Sequence, residues 1–175
     1  MTSKFALAVL LASAGALTLG AAQQKSTPPA QSGKNAAFEL FKQLAGEWVG
    51  KEAGKGGEIH VKYQVTSGGS AVVETIGPGT DHEMVTVIHP DGGDLILTHY
   101  CMLGNQPQMK AAGVADGKQV AFKFVRATNL KSEKDMHMHN VTYTFVDKDT
   151  LKSVWTHYQD GKAAGDVVIE LKRKK

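Results

Sequence analysis

The sequence predicts an all-β fold, an up-and-down antiparallel β-barrel of about ten strands with a short N-terminal helix capping one end. Three observations lead to this prediction. From Glu47 onward, β-rich or alternating segments follow one another at nearly even spacing. The connections are short, and two of them are Asp-Gly turns (116–117 and 160–161), which suit antiparallel hairpins. A flat meander of this length would leave two long unpaired edges, so we expect the sheet to close.

The predicted strands share a pattern of alternating apolar and polar side chains. In the second strand, Ile59, Val61 and Tyr63 share one face, opposite His60 and Lys62. Each strand therefore has one buried and one wet side. The predicted bounds are Glu47–Ala53, Glu58–Thr66, Ala71–Ile76, His82–His89, Leu95–Leu103, Gln108–Ala115, Gln119–Thr128, Met136–Val146, Thr150–Gln159 and Ala163–Lys172.

The segment just before the first strand is the one place with helical periodicity. Phe38, Phe41 and Leu44 fall on one apolar stripe, and Gly46 is placed to end the helix. Trp48 follows immediately, on the first strand. We therefore expect the helix to fold back and plug the end of the sheet that Trp48 helps to build.

Residues 1–22 are typical of a secretory signal peptide, with Lys4, a short apolar run and a small-residue cleavage site near Ala22. The run is too short and alanine-rich for a good membrane span, so no stable membrane insertion is expected after cleavage. This predicts export to a periplasmic or extracellular location. Residues 23–35 are polar and contain Pro28-Pro29, which predicts a disordered leader. The barrel domain is then 36–175.

Charge and cysteine content exclude several classes. The chain has 20 Lys and Arg against 17 Asp and Glu, and four of the cations are the C-terminal residues 172–175. No basic stripe is interleaved with aromatic residues, so no nucleic-acid partner is expected, and the basic tail is predicted to be solvated. Cys101 is the only cysteine, which excludes an intramolecular disulfide.

Gly46-Glu47-Trp48, at the end of a helix and the start of a first strand, resembles the entry motif of the lipocalin and fatty-acid-binding-protein superfamily (calycins), which includes nitrobindin-like haem proteins. The chain also resembles a group of exported bacterial proteins of unknown function with lipocalin-like barrels. The resemblance implies that a late basic residue, Arg173 or Lys172, packs over the Trp. In the nitrobindin-like proteins it also implies an axial His late in the barrel, and His157 is the residue placed to match it.

Two clusters carry side chains capable of chemistry. His99 and Cys101 share one strand face, as do His137 and His139 on a later strand, whose series becomes apolar toward Tyr143. If these faces point inward together with His157, the imidazoles and the thiol converge on one cavity near a mouth. The predicted ligand-binding residues are Tyr63, Glu74, His99, Cys101, His137, His139, Tyr143, Trp155 and His157.

The predicted function is binding of a small, partly apolar ligand inside the barrel, with no cofactor. One alternative is a zinc, copper or haem protein, with His99, Cys101, His137 and His139 as the candidate metal ligands. Another is a hydrolase or isomerase that uses a pocket His, although no catalytic residue is identified because no oxyanion hole or orienting third group is apparent. The oligomeric state is left open.

Overall fold

The structure is a computed structural model that describes residues 33–54 and 56–175. The predicted signal peptide and most of the predicted leader lie outside the described residues, so both stay predictions. The described part begins with helix α1, Gly33–Lys42, which starts within the segment predicted as leader. No helix among the described residues has the length and hydrophobicity that crossing a membrane requires.

Ten antiparallel strands form a closed barrel, which confirms the predicted fold class. Each strand pairs with its sequence neighbours, and β1 also pairs with β10, from Trp48 opposite Arg173 to Glu52 opposite Ile169. The strands are β1 Gly46–Glu52, β2 Ile59–Thr66, β3 Ala71–Ile76, β4 Met84–Asp91, β5 Asp94–Tyr100, β6 Gln106–Ala115, β7 Gln119–Thr128, β8 His137–Asp147, β9 Thr150–Gln159 and β10 Lys162–Arg173.

Two strands are shorter than predicted by two or three residues at one end because tight turns replace extended chain. β5 stops at Tyr100, since the Gly104 amide donates to the Cys101 carbonyl (2.9 Å) and closes a turn. The segment before β4 turns likewise, with the Thr80 amide bonded to the Gly77 carbonyl and the Glu83 amide to that of Thr80. Both turns lie at the end of the barrel that faces away from α1.

The helix plugs the other end, as predicted, although it ends at Lys42 and a turn leads to Gly46. Phe41 is fully buried and meets Tyr143, Phe145 and Phe122 edge-on, with ring centroids 5.1, 5.2 and 5.9 Å away. Edge-to-face aromatic contacts add to the large apolar area that these rings bury. This end of the interior is therefore filled by side chains.

Trp48 and Arg173 connect the helical segment to the barrel through hydrogen bonds and a cation–π contact. The indole of Trp48 donates to the Leu44 carbonyl (2.8 Å), and the guanidinium of Arg173 lies 4.3 Å from its ring centroid. The same guanidinium donates to the carbonyls of Ala45 and Gln43, at 2.9 and 2.8 Å. Packing of a late basic residue over the Trp is thus confirmed for Arg173, and the prediction of a purely solvated basic tail is wrong at this residue.

Candidate functional site

A buried hydrogen-bonded network occupies the middle of the barrel. Glu74 is 2% exposed and accepts hydrogen bonds from the hydroxyls of Tyr63 and Tyr143, the latter at 2.9 Å. Burial raises the pKa of Glu74, and the hydrogen bonds from Tyr63, Tyr143 and Thr86 oppose that rise. Burial, and then the neighbouring Glu74 charge, raises the pKa of both tyrosines. The tyrosines therefore stay neutral donors that satisfy a carboxyl deep in the core.

His99 belongs to the same interior layer. Its Nδ1 lies 3.0 Å from the Thr86 hydroxyl, and its ring lies against Trp155, with centroids 4.8 Å apart. Burial lowers the pKa of His99 to about 4, so the imidazole is neutral at neutral pH. The indole nitrogen of Trp155 is buried with no hydrogen-bond partner. His99 and Trp155 therefore face the core as predicted, but they lie beneath the open end and do not border its cavity.

A β-bulge at His139 changes which side chains of β8 face inward. Val141 pairs with Trp155, and Met138 pairs with His157, but the register shifts between Met138 and Asn140. Because Trp155 and His157 share a face of β9, Val141 and Met138 both face inward. The bulge thus reverses the alternation that the sequence predicted, and it brings Met138 to the interior at the mouth.

His137 and His139 fill a gap in the barrel wall. The β7–β8 ladder ends at Lys123–Asn140, although both strands continue toward the mouth. There the ring of His139 stacks between Phe124 and Tyr158, at 4.4 and 3.6 Å between centroids. Phe124 pairs on the inner side with Met109, whereas Tyr158 lies on the outer face of β9. The two histidines therefore seal the wall between separated strands.

Hydrogen bonds fix the protonation pattern of this pair. His137 Nδ1 lies 2.8 Å from the Asp135 carbonyl, which can only accept, so Nδ1 carries a proton. His137 Nε2 then accepts from His139 Nδ1, 3.0 Å away, when both rings are neutral. Burial and the charge of His137 lower the pKa of His139. The surroundings of His139 consequently favour its neutral form.

The open end of the barrel holds a cavity with a volume of about 1190 Å³. Its inward-facing lining is mostly apolar. Glu47, His60 and Lys62 also border this space but lie on the outer face of β1 and β2, so part of the volume is outside the barrel. The inward-facing residues at the cavity are Trp48, Glu52, Ile59, Val61, Ile76, Met84, Cys101, Met138, His157 and Val167.

His157 and Cys101 are the predicted site residues that border this cavity. The His157 ring lies against Gly165, where an added Cβ would be 2.9 Å from its Cε1 atom, and its Nδ1 is buried without a partner. Burial raises the pKa of the Cys101 thiol, opposed by the backbone amides of Leu103 and Met102. The mouth thus presents a neutral thiol, an imidazole and the carboxylate residue Glu52 among apolar side chains.

The predicted convergence of five side chains on one cavity is not what the structure has. They divide among three places: His99 in the core, His137 and His139 in the wall, and Cys101 and His157 at the mouth. Tyr63, Glu74 and Tyr143 lie in the core network. Within 33–54 and 56–175, no group of three or more His, Cys, Asp or Glu is arranged to hold a metal ion.

Sequence reasoning missed several residues at the mouth, Met84, Met138 and Val167 among them. Met84 and Val167 could have been predicted from the sequence. An up-and-down meander determines which strand ends lie together at the mouth, and alternation along each strand then identifies the residues that face inward. Met138 could not be found in this way. Its orientation depends on one extra residue in β8, for which the local sequence gives no sign.

Comparison with known proteins supports the fold. The chain is similar to the crystal structure of Rv2717c from M. tuberculosis, with 15% identity, a TM-score of 0.59, and coverage of 79% of this chain and 98% of that one. It is also similar to a DUF3598-family protein of unknown function from Nostoc punctiforme, with 13% identity, a TM-score of 0.50, and coverage of 77% and 49%. No protein-family model and no curated protein matches the chain significantly. At these identities the likeness concerns the fold alone, a closed antiparallel β-barrel of ten strands.

Proposed function

We propose that this chain is an exported protein that binds a small, partly apolar molecule at the mouth of its barrel. The observation that carries the proposal is the cavity of about 1190 Å³ at the end that α1 leaves open. Ligand sites in proteins are concave, largely apolar and supplied with a few polar groups, and the mouth of a β-barrel is a usual place for them. Export rests on the sequence of residues 1–22 alone.

The lining defines the chemistry of the ligand. Ile59, Val61, Ile76 and Val167 supply branched apolar walls, and methionine side chains supply a surface that adapts to different shapes. His157 and Glu52 are polar residues on the inner face at the same place. An apolar body with one group able to hydrogen-bond to an imidazole satisfies both features. A ligand with several charges does not, because this lining has no inward cluster of opposite charge to pair with them.

Native mass spectrometry of gently purified protein tests the proposal directly, because a carried ligand adds mass to the chain. As a second arm, anilinonaphthalene sulfonate, a fluorescent apolar probe, is titrated into protein stripped of bound molecules. Val167→Trp fills the mouth and is expected to abolish or strongly reduce probe fluorescence. Val146→Trp, the same change at a 48% exposed position, is the matched control and should leave it unchanged. Equal fluorescence in the two folded variants would contradict the proposal.

Haem is a second candidate ligand, favoured by the place of His157. An imidazole on the inner face at the mouth, with apolar neighbours and open volume beside it, fits an axial ligand. Its buried Nδ1 has no acceptor to orient the ring, which is the feature that fits least. The absorption spectrum of protein mixed with haem discriminates: a Soret band lost in His157→Ala but kept in His99→Asn supports haem, and identical spectra for free and mixed haem rule it out.

The remaining rival is a hydrolase or isomerase that uses a pocket His. His99, one of the histidines predicted to line the pocket, is hydrogen-bonded to Thr86 and lies outside the cavity lining. Activity against small esters or lactones that is lost in His157→Ala and kept in His99→Asn would favour an enzyme at the mouth.

A further inference from the structure

Sulfur-bearing side chains are concentrated at the mouth of the barrel. The described residues include five methionines and one cysteine. Five of these six side chains border the cavity: Met84, Cys101, Met102, Met136 and Met138. The sixth, Met109, is fully buried in the core and pairs with Leu97 and Phe124. A set of interchangeable core fillers would be spread through the interior, whereas these side chains gather around one opening.

Two pairs of neighbouring residues face inward at the cavity, and three of these four side chains contain sulfur. Met138 lies directly opposite His157 across β8 and β9. Val85 pairs with Tyr100, so Met84 and Cys101 come next toward the mouth on β4 and β5, and both border the cavity. Cys101 is 8% exposed, which places its sulfur at the inner wall. The two pairs therefore offer two thioethers, one thiol and one imidazole to the same space.

The rim above them carries two more thioethers. Met102 and Met136 are 55% and 39% exposed, so both side chains are accessible to solvent at the rim. The Asn105 side-chain amide donates to the Met136 carbonyl (2.9 Å) and so ties the β5–β6 loop to the segment preceding β8. Sulfur ligands are thus present both at the entrance and within the cavity.

We propose that the mouth binds one Cu(I) ion through the sulfur atoms of Met84, Cys101 and Met138 and the imidazole of His157. Thioether and thiolate ligands select soft cations such as Cu(I), and imidazole suits copper as well. Long, flexible methionine side chains allow opposite walls to reach one ion. Two of the four donors are thioethers, which are poor ligands for Zn²⁺, Ca²⁺ or Mg²⁺, so the set as a whole favours Cu(I) over these ions.

Binding involves a proton but no change of oxidation state. Cu(I) enters as Cu⁺, the Cys101 thiol loses its proton to solvent, and a Cu–S bond forms while copper stays monovalent. Binding should consequently tighten as pH rises, because each bound ion displaces one proton from the thiol. The site shares the cavity of the proposed function but does not depend on a small molecule being carried there.

Anaerobic titration of the full chain with Cu(I), in competition with the chromogenic chelator bathocuproine disulfonate, tests the proposal. We expect one ion per chain and an ultraviolet thiolate-to-copper band that Cys101→Ser abolishes. Met84→Leu/Met138→Leu should weaken binding by about tenfold or more, whereas Met109→Leu, the matched control outside the cavity, should not. Circular dichroism establishes that each variant is folded, and Zn²⁺ serves as the ion expected not to compete.

A second readout keeps the test decisive if a variant fails to fold. In protein with methyl-labelled methionine, Ag(I), a diamagnetic analogue of Cu(I), should shift the methyl signals of Met84 and Met138 and leave that of Met109 in place. Retention of all copper by the chelator, unchanged affinity in the Met84→Leu/Met138→Leu variant, or a Met109 shift equal to the others would overturn the proposal. A small molecule carried by copper-free protein would support the proposed function independently of these outcomes.

Discussion

The two ends of the barrel interior differ in packing, because side chains fill one end and the other end holds a cavity. At the helix end, Phe41 is fully buried against three aromatic rings, and Trp48 and Arg173 join the helix to the closing strands. At the mouth the interior widens into a cavity, and polar atoms such as His157 Nδ1 and Asn105 Oδ1 are buried without partners. The contrast indicates that packing at one end supplies the stability that lets the other end stay hollow.

The largest expected effect comes from breaking the packed end. Phe41→Ala should lower the free energy of unfolding by about 3–5 kcal/mol, because the change removes a fully buried ring and leaves a cavity. Chemical denaturation monitored by circular dichroism measures it. Leu103→Ala, at a 47% exposed position on the mouth rim, is the control and should stay within about 0.5 kcal/mol of the unchanged protein. Equal losses at the two ends would remove the contrast.

The core layer between the ends should respond to acid. Because burial lowers the pKa of His99 to about 4 from an ordinary 6.5, the folded state binds fewer protons than the unfolded chain between these values. Stability from this group is present above pH 6.5 and is lost as pH falls toward 4, by about 3 kcal/mol. The raised pKa of Glu74 acts with the opposite sign, since its protonation favours the folded state.

The variant His99→Asn isolates the contribution of His99 to the pH dependence of stability, because an amide can still bond to the Thr86 hydroxyl. Urea denaturation at the two pH values should show a smaller acid-induced loss in this variant than in the unchanged protein. An identical loss in both would mean that His99 does not titrate differently on folding.

Loss of the contacts by which Arg173 joins the helix to the barrel should have a smaller effect on stability. Arg173→Ala removes the cation–π contact with Trp48 and the bonds to the Gln43 and Ala45 carbonyls, and should cost about 1–2 kcal/mol. Lys174→Ala removes an exposed ion pair with Glu47 and should have almost no effect. Thermal melts of the two variants give the comparison, and equal melting temperatures would contradict the role assigned to Arg173.

The smallest expected effect is local, at the wall gap. The pKa of His139 is lowered from the ordinary 6.5, so the stability it contributes is present above pH 6.5 and is lost as pH falls from there toward the lowered value. Amide hydrogen exchange in 124–128 and 137–139 should rise below about pH 6 relative to the β9–β10 hairpin. His139→Phe preserves stacking between Phe124 and Tyr158 and should abolish this pH dependence. A uniform rise of amide hydrogen exchange across the barrel would contradict the proposal that His137 and His139 close the gap between β7 and β8.

Sequence periodicity was sufficient to predict the barrel architecture. It failed to predict the orientation of particular side chains. Alternation from Glu47 onward and short turns predicted ten antiparallel strands. The resemblance carried by Gly46-Glu47-Trp48 implied that Arg173 or Lys172 packs over the Trp, and Arg173 does so. Alternation also placed Tyr63, Glu74, His99 and Trp155 inward. It failed at His137 and His139, because a single bulge residue reverses every face beyond it.

The central claim is that the mouth, and not the packed core, receives a ligand. The most direct measurement is the methyl spectrum of methionine-labelled protein titrated with anilinonaphthalene sulfonate, since these residues lie both at the mouth and in the core. We predict saturable shifts of the Met84 and Met138 signals with Met109 unchanged. Unchanged signals at Met84 and Met138, or shifts no larger there than at Met109, would contradict the claim.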